Sequence, residues 1–184
     1  MAELVAGRAC GACTVCCAAL GIDTAQIQKR TGSLCRHCSG SGCAIYEARP
    51  NTCRDFYCAW MKTEGLGPDW RPDLSGVFLQ ELDIQGRPAL SLMLVADALK
   101  TARQAWFVDF VLAQLRLGRL MVLAVPGPVG TRSAKLMLGS DEMRRAAAGS
   151  PEQLRQVLRK NIKTLMESEF EELPLLNTGN DTST

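Results

Sequence analysis

The sequence lacks the features that would direct it out of the cell, into a membrane or onto a polyanion. Its first ten residues, MAELVAGRAC, have neither the basic start nor the long apolar run of a secretory signal. No stretch offers eighteen or more uncharged apolar residues, so we expect no transmembrane helix. Lys and Arg number 21 against 19 for Asp and Glu, and the sequence has no basic stripe and no known motif for nucleic-acid recognition. We therefore expect a cytoplasmic protein that binds neither nucleic acid nor membrane.

Cysteine is absent from the chain beyond Cys58, although the chain has nine cysteines in all. Thiols stay reduced in the cytoplasm, so nine clustered cysteines there indicate metal binding rather than a disulfide framework. An odd number also counts weakly against a closed set of disulfides. The predicted metal ligands are Cys10, Cys13, Cys16, Cys17, Cys35, Cys38, Cys43, Cys53 and Cys58.

The spacing of these cysteines narrows the choice of metal. Two intervening residues let both thiolates turn toward one ion, and this spacing recurs in CGACTVC, from Cys10 to Cys16, and between Cys35 and Cys38. The first run resembles three ligands of a [4Fe–4S] cluster whose fourth thiolate comes from elsewhere. Separated pairs are more typical of zinc. Both cofactors, an iron–sulfur cluster or zinc, stay open.

Cys16 and Cys17 are adjacent, which is unusual for ligands of one ion. Neighbouring side chains point to opposite faces of an extended chain, or about 100° apart on a helix. We therefore predict that these two thiolates serve two centres, or different metal atoms of one cluster.

Other polar residues lie between the cysteines. His37 is the only histidine, and its imidazole could replace one thiolate as a metal ligand. Because nine thiols are present, we predict instead that His37 lies beside the site without binding the metal. Arg36, Arg49 and Arg54 could offset the negative charge of thiolates on a metal, or could simply face solvent.

The sequence divides into four segments. Residues 1–62 form a cysteine-rich module with too little apolar material for its own core, so we expect metal to organise it. Residues 63–76 are a connector rich in Pro, Gly and Asp, and residues 175–184 form a polar tail predicted to be disordered. Residues 77–174 are predicted to form an α+β scaffold.

The scaffold is predicted to have the order ββαββα, with an antiparallel sheet packed against helices. Strands flank Gly86, and an amphipathic helix runs from an N-cap at Asp97 to Gly118. A second hairpin turns within residues 127–130. The last helix begins at Ser150, where Pro151 and a later Gln form a capping-box pattern.

The motifs CGACTVCC, at residues 10–17, and CRHCSGSGCAIYEARPNTCRDFYCAW, at residues 35–60, resemble the YkgJ-type cysteine-cluster family, also called the CxxCxxCC family. The resemblance covers about residues 8–75. It implies that the cysteines chelate zinc or iron. One member is the flagellin lysine methylase, but no GxGxxG follows a strand here, and the resemblance implies no activity for this chain.

Three function classes follow. The first is a metal-binding or redox module without its own catalysis. The second is an iron–sulfur redox or protein-modifying enzyme, and the third is a zinc-stabilised adaptor that binds another protein. The sequence predicts no catalytic residue and names no substrate.

Overall fold

Short helices precede a four-stranded sheet and a helical layer in the computed structural model, which describes residues 3–173. The predicted disordered tail, residues 175–184, lies outside the described residues. The N-terminal elements are α1 (Val15–Ala19), β1 (Ile22–Asp23), β2 (Gln28–Lys29), α2 (Asn51–Arg54), α3 (Ala59–Lys62) and α4 (Pro72–Ser75). The remaining elements are β3 (Val77–Ile84), β4 (Arg87–Leu94), α5 (Ala98–Thr101), α6 (Ala105–Arg116), β5 (Leu120–Val125), β6 (Ala134–Leu138), α7 (Asp141–Ala148) and α8 (Pro151–Met166).

The larger sheet has the order β3-β4-β5-β6 and confirms the α+β class. Strands β3 and β4 form the predicted hairpin, and its turn residues Gln85 and Gly86 both have positive φ, as a two-residue type I′ turn requires. Strands β5 and β6 form the second predicted antiparallel pair. However, β4 and β5 are parallel, so the prediction of an antiparallel sheet is wrong. The crossover through α5 and α6 returns the chain to the same end of the sheet, which makes the sheet mixed.

The helical layer differs from the prediction in two places. The helix expected from Asp97 to Gly118 is divided into α5 and α6, because Gln104 is extended and begins a new helix. The order also gains α7, which the ββαββα pattern omitted. Asp97 does cap α5, with its carboxylate accepting from the Lys100 amide at 2.9 Å, and the capping box at Ser150 is present.

The two faces of the sheet have different partners. Helices α6, α7 and α8 cover one face and form the main core with it, around fully buried Leu92, Leu123 and Leu158. The opposite face presents Phe78, Met93 and Ala124, which lie side by side in the strand register. The cysteine-rich segment packs there, with Ala19 and Phe56 contacting these residues. The segment that carries the cysteines therefore contacts one face of the sheet.

Helix α3 joins the two layers. Its residues Ala59, Trp60 and Met61 are buried in the main core, although the sequence assigns them to the cysteine-rich module. Within residues 3–173, no helix combines the length and the apolar character that crossing a membrane requires.

Candidate metal centre

Tight turns carry the paired cysteines. The Cys13 amide donates to the Cys10 carbonyl at 2.9 Å, and the Cys38 amide donates to the Cys35 carbonyl at the same distance. A turn of this kind brings two side chains separated by two residues to one side of the chain. The Cys35 amide also donates to the Cys17 carbonyl at 2.9 Å, so the two cysteine motifs are joined through the backbone.

A cavity of about 220 Å³ lies between these turns. Seven of the nine cysteines line it: Cys10, Cys13, Cys16, Cys17, Cys35, Cys43 and Cys53. His37, Tyr46 and Arg49 contribute polar groups to the wall, and Phe56 contributes an apolar one. The structure thus brings together cysteines that are up to 43 positions apart, from Cys10 to Cys53.

A second and smaller cavity, of about 30 Å³, adjoins the first. The four cysteines in its wall are Cys10, Cys13, Cys16 and Cys58. The rest of the wall is mainly apolar and includes Phe56, Trp60 and Phe78. Of the nine predicted ligands, only Cys38 lines neither cavity.

The thiols surround these cavities without converging on a point. All nine cysteines are free thiols. Within residues 3–173, no three Cys, His, Asp or Glu side chains are grouped closely enough to hold a metal ion as they stand. Thiolates on zinc lie about 2.3 Å from the ion, so ligation here requires the side chains to turn inward from the cavity walls.

The adjacent thiols of Cys16 and Cys17 contact each other. Cys16 donates a hydrogen bond to Cys17, and this bond together with burial raises the pKa of the Cys16 thiol. The same bond lowers the pKa of the Cys17 thiol, and the positive charges of Lys29 and Arg49 add to that effect. Both side chains lie in the first turn of α1 and both line the larger cavity. They therefore do not point away from each other as they would on an extended chain.

A buried lysine lies beside the cysteines, and sequence reasoning missed it. The side chain of Lys29 is almost fully buried, and its ammonium group donates to the carbonyls of Ala18, Leu20 and Arg30. Burial lowers the Lys29 pKa, while Cys35 and Cys17 oppose that shift. No local pattern in QKR marks this lysine, because its burial depends on how β2 packs against the end of α1.

The three arginines that alternate with cysteines have different surroundings. Arg49 lines the larger cavity with its guanidinium 3.8 Å from the centre of the Tyr46 ring, and its buried Nε has no hydrogen-bond partner among residues 3–173. Arg54 instead donates to the backbone carbonyls of Arg49 and Glu47. Arg36 is exposed and donates to Nε2 of His37 at 3.1 Å, which leaves that imidazole beside the cavity with one nitrogen occupied.

A fourth arginine, Arg8, connects the chain just before Cys10 to the chain just after Cys58. Its guanidinium donates to four backbone carbonyls, those of Trp60, Thr63, Glu64 and Leu66. It also lies 5.0 Å from the centre of the Trp60 ring. Arg8 stands two positions before Cys10, and these carbonyls follow Cys58, so both ends of the cysteine-rich segment are held together.

No family model, curated protein or solved structure matches this chain. The resemblance to the cysteine-cluster family therefore rests on the motifs within residues 8–75 alone.

Proposed function

We propose that this protein binds metal through its cysteine cluster, as zinc or as an iron–sulfur cluster. The observation that carries the proposal is that eight of the nine cysteines line two adjoining cavities. Free cysteine packs well as a small hydrophobe, but packing gives no reason for eight thiols to surround the same space. Thiolate is the ligand that both zinc and iron–sulfur clusters prefer.

The charges around the larger cavity support an anionic occupant. Thiolates bound to a metal leave net negative charge, which nearby cations and N–H donors stabilise. Arg49 supplies such a group, because its buried Nε–H has no acceptor among the described protein atoms. Lys29 supplies a second positive charge near Cys17 and Cys35. Both groups fit a set of metal-bound thiolates.

The chain's own residues position the ligands and limit access of water. The turns at Cys10–Cys13 and Cys35–Cys38 orient pairs of thiols, and Arg8 holds the two ends of the segment in place. Phe56 and Phe78, with ring centres 6.0 Å apart, close the side toward the sheet. A bound zinc ion would supply a structural crosslink, whereas an iron–sulfur cluster would supply electron transfer.

The experiment is metal analysis with an absorption spectrum on full-length protein purified without air. We expect at least one equivalent of zinc, or of an iron–sulfur cluster with its sulfide. A coloured preparation would favour the redox or protein-modifying enzyme, and a colourless, air-stable zinc protein would favour the adaptor. Folded protein with almost no zinc or iron, which also takes up neither when it is supplied, would overturn the proposal.

A further inference from the structure

We propose that the cysteines form two adjoining four-thiolate metal centres that meet at the Cys16–Cys17 peptide bond. The inference rests on the proposed metal-binding function and assigns its ligands. The small centre takes Cys10, Cys13, Cys16 and Cys58, and the large centre takes Cys17, Cys35, Cys43 and Cys53. Cys38 is not a ligand.

The small centre is defined by the smaller cavity. Its wall contains four cysteines and no other thiol, which is the number that a closed tetrahedral site uses. A cavity needs about 10–15 Å³ to hold one water molecule. The volume of about 30 Å³ therefore leaves space for a single thiophilic ion and little else. The apolar rings of Trp60 and Phe78 shield this site from water.

The large centre is defined by the cysteines that line the larger cavity and not the smaller one. These are the four that remain once the small centre has its ligands. Cys53 also lies near Cys35, Cys17 and Cys43. The volume of about 220 Å³ accommodates more than one metal atom.

Charged side chains lie near both groups of cysteines. Lys29 and Arg49 both act on Cys17, which belongs to the large group. In the small set, Cys13 contacts Asp73, which is paired with Arg71, and Lys29 also acts on Cys16. Four thiolates bound to a metal leave net negative charge, and each group of cysteines has a cationic side chain near it that would offset this charge.

This division explains the two unusual cysteines. Cys16 lies on the wall that both cavities share, while Cys17 lines the larger cavity only, so adjacent residues reach separate centres from one turn of α1. Cys38 contacts Cys17 as a hydrogen-bond donor from outside the cavity, which is the role of a group that supports a ligand.

The test compares Cys58→Ser with Cys53→Ser, because each residue lines one cavity only, and uses Cys38→Ser as the matched control. Full-length proteins are purified without air, and zinc, iron and the absorption spectrum are measured. We expect each of the first two variants to lose the metal of one centre and keep that of the other. The control should keep both. Loss of all metal from either variant while its circular dichroism stays native, or equal loss from Cys38→Ser, would overturn the division.

A titration of the wild-type protein tests the same division without relying on variants that fail to fold. Metal-free, reduced protein is titrated with Cd²⁺, and the thiolate-to-cadmium absorption is followed. Two four-thiolate sites predict saturation at two equivalents of Cd²⁺ with eight thiolates bound. Saturation at one equivalent, or at three with all nine thiols bound, would overturn the division while leaving metal binding intact. No cadmium absorption at any ratio would instead count against the proposed function itself.

Discussion

At the scale of single residues, Arg8 makes an extensive set of contacts outside the cavities. Its guanidinium satisfies four carbonyls of residues 60–66 and stacks on Trp60. Arg8→Ala leaves partly buried carbonyls without a donor. We expect it to lower the free energy of unfolding by about 1–3 kcal/mol, which is the cost of unsatisfied buried polar groups.

Urea denaturation of the metal-loaded protein measures this loss. Arg8→Lys should recover only part of the stability, since an ammonium group cannot span the carbonyls that the planar guanidinium reaches. Arg87→Ala, at an exposed site in β4, is the matched control and should change the free energy of unfolding by no more than about 0.5 kcal/mol. An Arg8→Ala protein as stable as this control would show that the four contacts contribute nothing.

Residues differ in how far their sequence context reveals their role. The cysteines can be predicted as a group because their spacing is local and their chemistry is specific. Arg49 stands between two of them, and its place at the cavity could be proposed on that ground. Lys29 and Arg8 could not be found in this way, because each owes its role to carbonyls that tertiary packing brings to it.

At the scale of elements, local signals predicted the ends of helices and the hairpin well. The positive φ values at Gln85 and Gly86, and the cap at Ser150, depend on residues within a few positions of each other. The interruption between α5 and α6 has no such signal. It turns Phe107, Val108 and Val111 into the core. Trp106 is instead 38% exposed and packs edge-on against Trp70.

The capping box of α8 gives a prediction at this scale. The Ser150 hydroxyl accepts from the Gln153 amide at 3.2 Å, and the Gln153 side chain accepts from the Ser150 amide at 3.0 Å. Ser150→Ala removes one half of this exchange and should lower stability by about 1 kcal/mol. A thermal melt measures the change, and metal content should be unaffected because no residue of α8 lines either cysteine cavity.

The matched control is Thr164→Ala in the same helix. Thr164 is exposed, and its hydroxyl only donates back to the Lys160 carbonyl. Alanine is the better helix former, so this variant should melt at the same temperature or slightly higher. Equal destabilisation by both substitutions would mean that the cap is not the source of the effect.

At the scale of the whole molecule, the layers on the two faces of the sheet are stabilised by different contacts. On one face, helices α6, α7 and α8 bury a continuous apolar core. On the other, a small cluster around Phe78, Met93 and Ala124 contacts the cysteine-rich segment. That segment is also anchored by α3, by the Arg8 contacts and by the hydrogen bond from the Gly130 amide to the Thr31 carbonyl. The composition of residues 1–62 indicated a segment that cannot form its own core, but not that it covers one face of the sheet, since that docking depends on contacts distant in sequence.

Removal of metal should therefore loosen one layer of the protein and leave the other folded. Metal binding to thiolates contributes to folding wherever the unbound site has little other stabilisation, and structural zinc is worth on the order of 10 kcal/mol. The cysteine-rich segment before α3 should become sensitive to protease after treatment with a chelator or with acid. The protected part should begin near Ala59 rather than at the sheet, because Ala59, Trp60 and Met61 are buried in the main core.

Limited proteolysis followed by mass spectrometry locates this boundary. Metal-loaded protein serves as the control, since its cysteine-rich segment should resist the same protease concentration. In the metal-free sample, early cuts should fall between Cys10 and Cys58, and a fragment that extends from about Ala59 through α8 should persist. Cuts that spread through α6 and α8 at the same rate as those around the cysteines would mean that the two layers unfold as one cooperative unit. In that case the contacts of Phe78, Met93 and Ala124 with the cysteine-rich segment would be essential to the sheet itself.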